Sequence, residues 1–308
     1  VAWYGDDFTG AAAVMEVLTF AGIPAMLFLD VPTQDQLARY RDVRAIGVAS
    51  TARTQSPAWM DRALPPVFAA LLALNPELLH YKICSTLDSS PSIGSIGRAI
   101  EIAADLIEPQ GVPVVVAAPQ IRRYQSFGHL FAAAGDAVYR LDRHPVMSRH
   151  PITPMSEPDV ARHIAQQSNR LAWALWSLED MTAHRPPQWP QTTNQIPVLA
   201  IDCIDTDTEA AVGDFLWNNR AANRFVVGSQ GIEYALVRYW GNAGLLAPQA
   251  PLTTAGRTSG MVVISGSVSP TTAEQIAWSR AHNFETIRFD VLQACVDDQT
   301  LIAERDRV

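Results

Sequence analysis

Short apolar runs alternate with amphipathic stretches along most of the chain. Val1–Gly5 reads as a strand, Gly10–Ala21 as a helix and Pro24–Leu29 as a strand. Arg44–Ala49 is the next strand, after a further helical stretch. Pro57–Leu74 reads as a long helix with Leu64, Val67, Phe68, Leu71 and Leu72 on one face. Leu78–Ile83 is a strand, Ile93–Ile107 a helix and Pro113–Ala118 an almost wholly apolar strand. An unbroken apolar strand points to burial on both faces, as in a parallel sheet. The repeated strand–helix order predicts an α/β class fold, a doubly wound parallel sheet with right-handed crossovers.

The middle is less regular. Arg122–His150 is rich in Arg, His and Gly and reads as loops with one short strand around Ala137–Leu141. A helix is expected from near Ser156, with Ser156 and Asp159 approximating a capping box and Pro158 in the first turn. Leu171–Leu178 reads as a strand and His184–Pro197 as a proline-rich surface loop. Strand Val198–Ile204, helix Thr208–Arg220, strand Arg224–Gly228 and helix Gly231–Trp240 follow. Gly241–Gly260 is the expected linker. Met261–Ser265, Gly266–Pro270 and Thr272–His282 then read as a new strand, turn and helix. The expected domains are residues 1–240, and 261–308 as the start of a second parallel-sheet domain.

Composition narrows the classes. The chain has 308 residues, enough for two domains at roughly 150 residues each. It is 48% hydrophobic and 18% charged, which excludes disorder and coiled coil. A net charge of -8 argues against nucleic-acid partners. No apolar run reaches a membrane span and no signal sequence opens the chain, so a cytoplasmic location is expected. Cys84, Cys203 and Cys295 form no CxxC pair, so neither a zinc site nor a disulfide framework is expected. His144 and His150 lack metal-type spacing with acids. Apolar helix faces point to a homodimer. The start at Val1 without Met and the stop at Val308 read as a trimmed or incomplete chain.

Candidate chemistry falls at strand ends, where open α/β sheets bind ligands. Gly5-Asp6-Asp7-Phe8-Thr9-Gly10 joins the first strand to the first helix. Carboxylates there cap the helix, bind hydroxyls or take a proton. Lys82 is the single lysine beside 22 arginines, and Ser85, Thr86 and Asp88 follow it in one turn. A lysine acts as a point charge toward a carboxylate or phosphate, and otherwise snorkels from a polar loop. Arg122 belongs to the main local positive density, a grip for an anion or a solvated face. Gly228-Ser229-Gln230-Gly231 and Gly266-Ser267-Val268-Ser269-Pro270 each start a helix with amides and hydroxyls available to an anion.

Taken in order, these four turns resemble the four-carbon acid sugar kinase family across essentially the whole chain. The resemblance implies an N-terminal sugar-acid domain, a C-terminal nucleotide domain and ATP-dependent phosphorylation of a hydroxyl of a 3-oxo-tetronate-like acid, with Mg²⁺ riding on the nucleotide. Asp6, Asp7, Thr9 and Gly10 match its DDxTG turn, and Lys82, Ser85 and Thr86 match its KxDST-like turn. Gly266, Ser267 and Ser269 match the turn that touches ATP. Asp6 or Asp7 would orient the hydroxyl and accept its proton, with Asp7 preferred. Lys82, Ser85 and Thr86 would hold the substrate carboxylate, with Arg122, Gly228 and Ser229 also in the substrate site. The chain departs from the family at Cys84, where Asp is common, and at Asp88-Ser89, where Arg-Gly is common. The rival readings are a non-catalytic sugar-acid sensor on the same fold and a different α/β enzyme. The absence of GxGxxG disfavours a dinucleotide-dependent one.

Overall fold

The computed structural model describes residues 1–246, 256–267 and 270–308. It divides into two compact units, Val1–Leu252 and Thr253–Val308.

The first unit opens with strands β1 (Ala2–Gly5), β2 (Ala25–Phe28), β3 (Ala45–Ala49), β4 (Leu79–Lys82) and β5 (Val112–Val115). An antiparallel excursion follows: β6 (Arg123–Ser126), β7 (His129–Ala134) and β8 (Ala137–Arg140). Strands β9 (Leu171–Trp176), β10 (Ile196–Ile201) and β11 (Phe225–Gly228) complete the main sheet. Its spatial order is β2-β3-β1-β4-β11-β5-β10-β9, and every neighbouring pair is parallel. The parallel sheet of the sequence reading is therefore present.

Among the described residues eight α-helices cover it: α1 (Phe8–Phe20), α2 (Gln34–Arg39), α3 (Pro57–Ala73), α4 (Ile96–Ile107), α5 (Val160–Ala165), α6 (Leu178–Thr182), α7 (Thr206–Asn218) and α8 (Gly231–Asn242). The two-residue period of a strand sends alternate side chains to opposite layers. Tyr4, Tyr81 and Phe225 turn toward α3, α4 and α5, where Phe68 of α3 packs among them with ring centroids 5.8–6.0 Å away. Trp3, Val115 and Val226 turn toward α1, α7 and α8. The Trp3 indole donates to Ala11 O at 3.0 Å, tying β1 to its own helix.

The strand order reverses about β1. The chain leaves β1 toward β2 through α1 on one face, whereas α3 and α4, which follow β3 and β4, lie on the other. The carboxyl end of β1 therefore opens between loops that diverge, the switch point at which such sheets form a crevice.

Several expectations need correction. Arg122–His150 holds a three-stranded antiparallel sheet rather than one short strand. Its strands are only four to six residues long and turn at Phe127-Gly128 and Gly135-Asp136, so no long alternating run marked them. The helix expected from Ser156 starts at Val160, capped by Asp159, whose side chain accepts from the Arg162 amide. Helix α6 was hidden behind β9; Ser177 and Asp180 form its capping box.

The second unit carries α9 (Pro270–Ala281), α10 (Val291–Ala294) and α11 (Asp298–Arg307). The strand expected at Met261–Ser265 is not formed, and Met261–Ile264 are exposed. Among the described residues this apolar run has no neighbouring strand to take up its backbone groups. Residues 247–255 of the expected linker lie outside the described residues. No helix among the described residues is long and apolar enough to cross a membrane.

Close packing predicts opposite outcomes for two glycines of α8. A Cβ at Gly231 would overlap the Ala117 carbonyl oxygen, whereas one at Gly241 would meet nothing. Gly231→Ala should cost about 3 kcal/mol through forced backbone shifts. Gly241→Ala should gain about 0.5–1 kcal/mol from helix propensity. Urea unfolding of both variants checks this.

Candidate functional site

Three adjacent strands, β3, β1 and β4, deliver the charged groups. Asp6 and Asp7 follow β1 directly. Asp7 takes an extended conformation and caps α1, its Oδ1 accepting from the Gly10 amide at 2.8 Å. Asp6 is buried in the strand-end turn, its amide donating to Lys82 O and its carbonyl accepting from the Arg53 amide.

Arg53 comes from the turn after β3 and bridges both acids. Its Nη2 lies 2.6 Å from Asp6 Oδ1, its Nε 3.2 Å from Asp6 Oδ2 and its Nη1 2.9 Å from Asp7 Oδ2. Lys82 closes the cluster from the end of β4. Its ammonium is buried, donates to Ile83 O at 2.7 Å and keeps two further donors. Gly10 explains how these charges fit together. A Cβ there would sit 2.8 Å from Lys82 Nζ and would also overlap Asp7 Oδ1. A missing side chain makes the space that the ammonium and carboxylate occupy.

Electrostatics follows from burial. Desolvation pushes the Asp6 carboxyl above its ordinary value, against the pull of Arg53 and Lys82. Desolvation lowers the Lys82 ammonium, opposed chiefly by Asp6. For Arg53 burial acts downward, but Asp6, with help from Asp7, carries the guanidinium above its usual range. Two cations and two carboxylates thus share a small space. Asp6 is only 3% exposed at its side chain, while Asp7 is 28% exposed. Asp7 is the acid a ligand can reach.

The next turn is polar. Cys84 Sγ lies 2.9 Å from Thr86 Oγ1, which donates to Asp88 Oδ1 at 2.8 Å. Burial, then the Asp88 carboxylate, pushes the Cys84 thiol up to about 11, so it is a neutral S–H at physiological pH.

The remaining expected residues are spread more widely. Ser85 is half-buried in the Lys82 turn, and Thr9 is exposed on the first turn of α1. Gly228 lies beside Lys82 in the sheet register. Ser229 is fully buried and holds its own turn, accepting from the Gly231 amide at 3.0 Å. Arg122 is exposed, its guanidinium on Gly135 O and Asp136 O of the β7–β8 turn. Its neighbour Arg123 is the more buried of the two, with an Nε that has no partner. Gly266 and Ser267 lie in the second unit, and Ser269 lies outside the described residues. Sequence reasoning missed Arg53, because only the strand order brings the turn after β3 against β1.

A depression of about 360 Å³ at the amino end of β11, away from the charge cluster, is lined by Leu72, Ile107, Ala222 and Arg224. The Arg224 guanidinium is already committed to Pro76 O and Asn75 Oδ1, so this depression offers little chemistry. No group of three or more potential metal ligands occurs among the described residues.

Residues 1–236 match the model of a family described as the sugar-binding N-terminal domain. The chain belongs to this family. It is 45% identical over 309 residues to a 3-oxo-isoapionate kinase of Paraburkholderia graminis, covering 100% of this chain and 66% of that protein. It is 28% identical over 296 residues to a 3-oxo-tetronate kinase of Cupriavidus necator, covering 93% and 65% respectively. The solved structure of a Haemophilus influenzae protein matches with a TM-score of 0.67 at 21% identity, covering 100% of this chain and 71% of that one, which shows the shared fold. The resemblance to the four-carbon acid sugar kinases is borne out. The chain spans 66% and 65% of the two kinases' lengths, a little under two thirds.

Two predictions concern the charge cluster of this sugar-binding domain. Arg53→Ala strands a buried carboxylate and should cost about 3–5 kcal/mol at neutral pH. A raised Asp6 pKa means that protonation favours the folded state, so the deficit should shrink as pH falls. Unfolding series at pH 7 and at acid pH check both parts. Separately, burial holds the Cys84 thiol at about 11 and the Cys203 thiol at about 12, whereas Cys295 is exposed. A thiol reagent at pH 8 should modify Cys295 alone in the native protein and all three after denaturation, read by mass spectrometry.

Proposed function

We propose that this chain is the sugar-acid-binding part of a kinase acting on a hydroxyl of a small oxidised sugar acid, of the 3-oxo-isoapionate type before the 3-oxo-tetronate type. The observation that carries the reading is the Arg53–Asp6–Asp7–Lys82 cluster at the switch point of the sheet. The kinase names of the relatives support the reaction class, and the higher identity to the 3-oxo-isoapionate kinase favours that order of substrates.

The residues divide the work by charge. Lys82 directs its two spare donors to the substrate carboxylate, where a charge-assisted bond is strongest. Ser85 and Thr9 add hydroxyls at the rim. Asp7, fixed by the Gly10 amide and by Arg53, accepts the substrate hydroxyl and then its proton as the oxygen attacks. Asp6, with both oxygens on Arg53, holds that arginine in place and does not meet the ligand. ATP with its Mg²⁺, when bound, supplies the phosphoryl group and neutralises its charge. Among the described residues Gly266 stands in open space and Ser267 is bonded to Thr272, which makes only a partial cradle for a nucleotide. We therefore assign the phosphate donor no contacts here.

Isothermal titration of this chain with 3-oxo-isoapionate and 3-oxo-tetronate tests the binding half. Lys82→Ala should weaken binding by about tenfold to a hundredfold, the range of a hydrogen bond to a charged group. Asp7→Asn should retain binding and, in a form of the protein that carries the whole nucleotide-binding part, abolish ADP release with ATP and Mg²⁺. Equal affinity in wild type and Lys82→Ala would remove Lys82 from the site.

A further inference from the structure

We propose that Asp88 is the specificity-determining residue of the sugar-acid site, its free carboxylate oxygen accepting one hydroxyl of the bound acid. The inference rests on the sugar-acid reading and deepens it.

The turn from Cys84 to Ser89 is a hydrogen-bond chain whose direction is fixed. Thr86 Oγ1 donates its one proton to Asp88 Oδ1 at 2.8 Å. With that proton committed, the Thr86 oxygen accepts from the Cys84 thiol 2.9 Å away. The chain of donors therefore runs from thiol to hydroxyl and ends on Asp88. Asp88 Oδ2 receives no donor from the described residues.

The far side of the turn is anchored from α5 and the residues just beyond it. Leu87 is left-handed, with φ of 55°, a conformation that costs a non-glycine residue about 1–2 kcal/mol. Ser89 Oγ donates to Leu87 O at 2.8 Å and accepts from Gln167 Nε2 at 2.9 Å. One lone pair remains, and His163 Nε2 fills it at 2.9 Å. That nitrogen must donate, because the serine proton is already used. Ser89 and His163 are therefore not a nucleophile and its base, although their spacing would suit one. They are positioning residues, and Asp88 is held between two anchored neighbours with Oδ2 left over.

Asp88 is half-buried and joined through Thr86 to Cys84, which lies two residues along the same turn from Lys82. An acceptor-only group rewards an O–H and repels a carboxylate. A polyhydroxy acid is thus oriented end to end, its carboxylate toward Lys82 and a hydroxyl toward Asp88.

The test is calorimetric titration of the whole chain with 3-oxo-isoapionate and its three monodeoxy analogues. In the wild type one analogue should bind about tenfold or more weakly than the parent, because a charged acceptor loses its donor. In Asp88→Ala that ratio should fall to near one, while the other two analogues keep their order. His163→Ala should reduce the same ratio, and His163→Gln, which keeps an N–H donor, should restore it. The His163 pair carries the test should Asp88→Ala not fold. An unchanged ratio in Asp88→Ala and His163→Ala, with wild-type binding intact, overturns the role of Asp88 and leaves the sugar-acid reading standing. Failure of the wild type to bind any of the four acids overturns both.

Discussion

A carboxylate taken out of water at the end of a parallel strand has to be compensated where it stands. Asp6 is compensated by Arg53, and the consequences spread from that ion pair. Two hydrogen bonds fix the guanidinium, leaving Nη1 to reach Asp7. Asp7 is then held between a cation and the first turn of α1, while Lys82 packs over Gly10. Removing one partner of such a pair leaves a buried charge unmatched, which is the costly case for any ion pair. The pair also joins the ends of β1 and β3, so the order of the sheet and the order of the charges are one constraint.

The fold divides labour between its layers. Aromatic and aliphatic side chains from alternate strand positions fill both faces, and the polar groups are gathered at the carboxyl ends. Tyr4 and Tyr81 stack in the core two residues before Asp6 and one before Lys82, on neighbouring strands. The positions of the charges are thereby inherited from core packing and parallel register rather than from flexible loops.

Much of this was legible in the chain. The apolar run at Pro113–Ala118 announced a strand buried on both faces, and the acidic pair before Gly10 announced a helix start with chemistry. The lone lysine pointed to its own turn. What was hidden depended on spatial order. Arg53 has no motif around it and acquires meaning only because β3 pairs with β1. Ser229 looked like a ligand-facing hydroxyl, but its oxygen is spent on Gly231 within its own turn. The three-stranded excursion escaped because its strands are short and carry no long alternation. The unformed strand at Met261–Ser265 had the right composition without a neighbour, and strand propensity records fit to a pleated surface, not backbone preference alone.

The buried position of Lys82 has a consequence for the chemical life of the surface. Every other basic side chain is an arginine or a histidine, and a guanidinium is not acylated as an amine is. Lysine acetylation, or tagging through a lysine isopeptide, would therefore have no handle on the outside of this folded chain. The one available ε-amine is packed over Gly10 and bonded to Ile83 O. Charge-neutralising modification could reach it only by loosening the turn around Gly10, so a change of that kind would disturb the Arg53–Asp6–Asp7 cluster before it altered the surface.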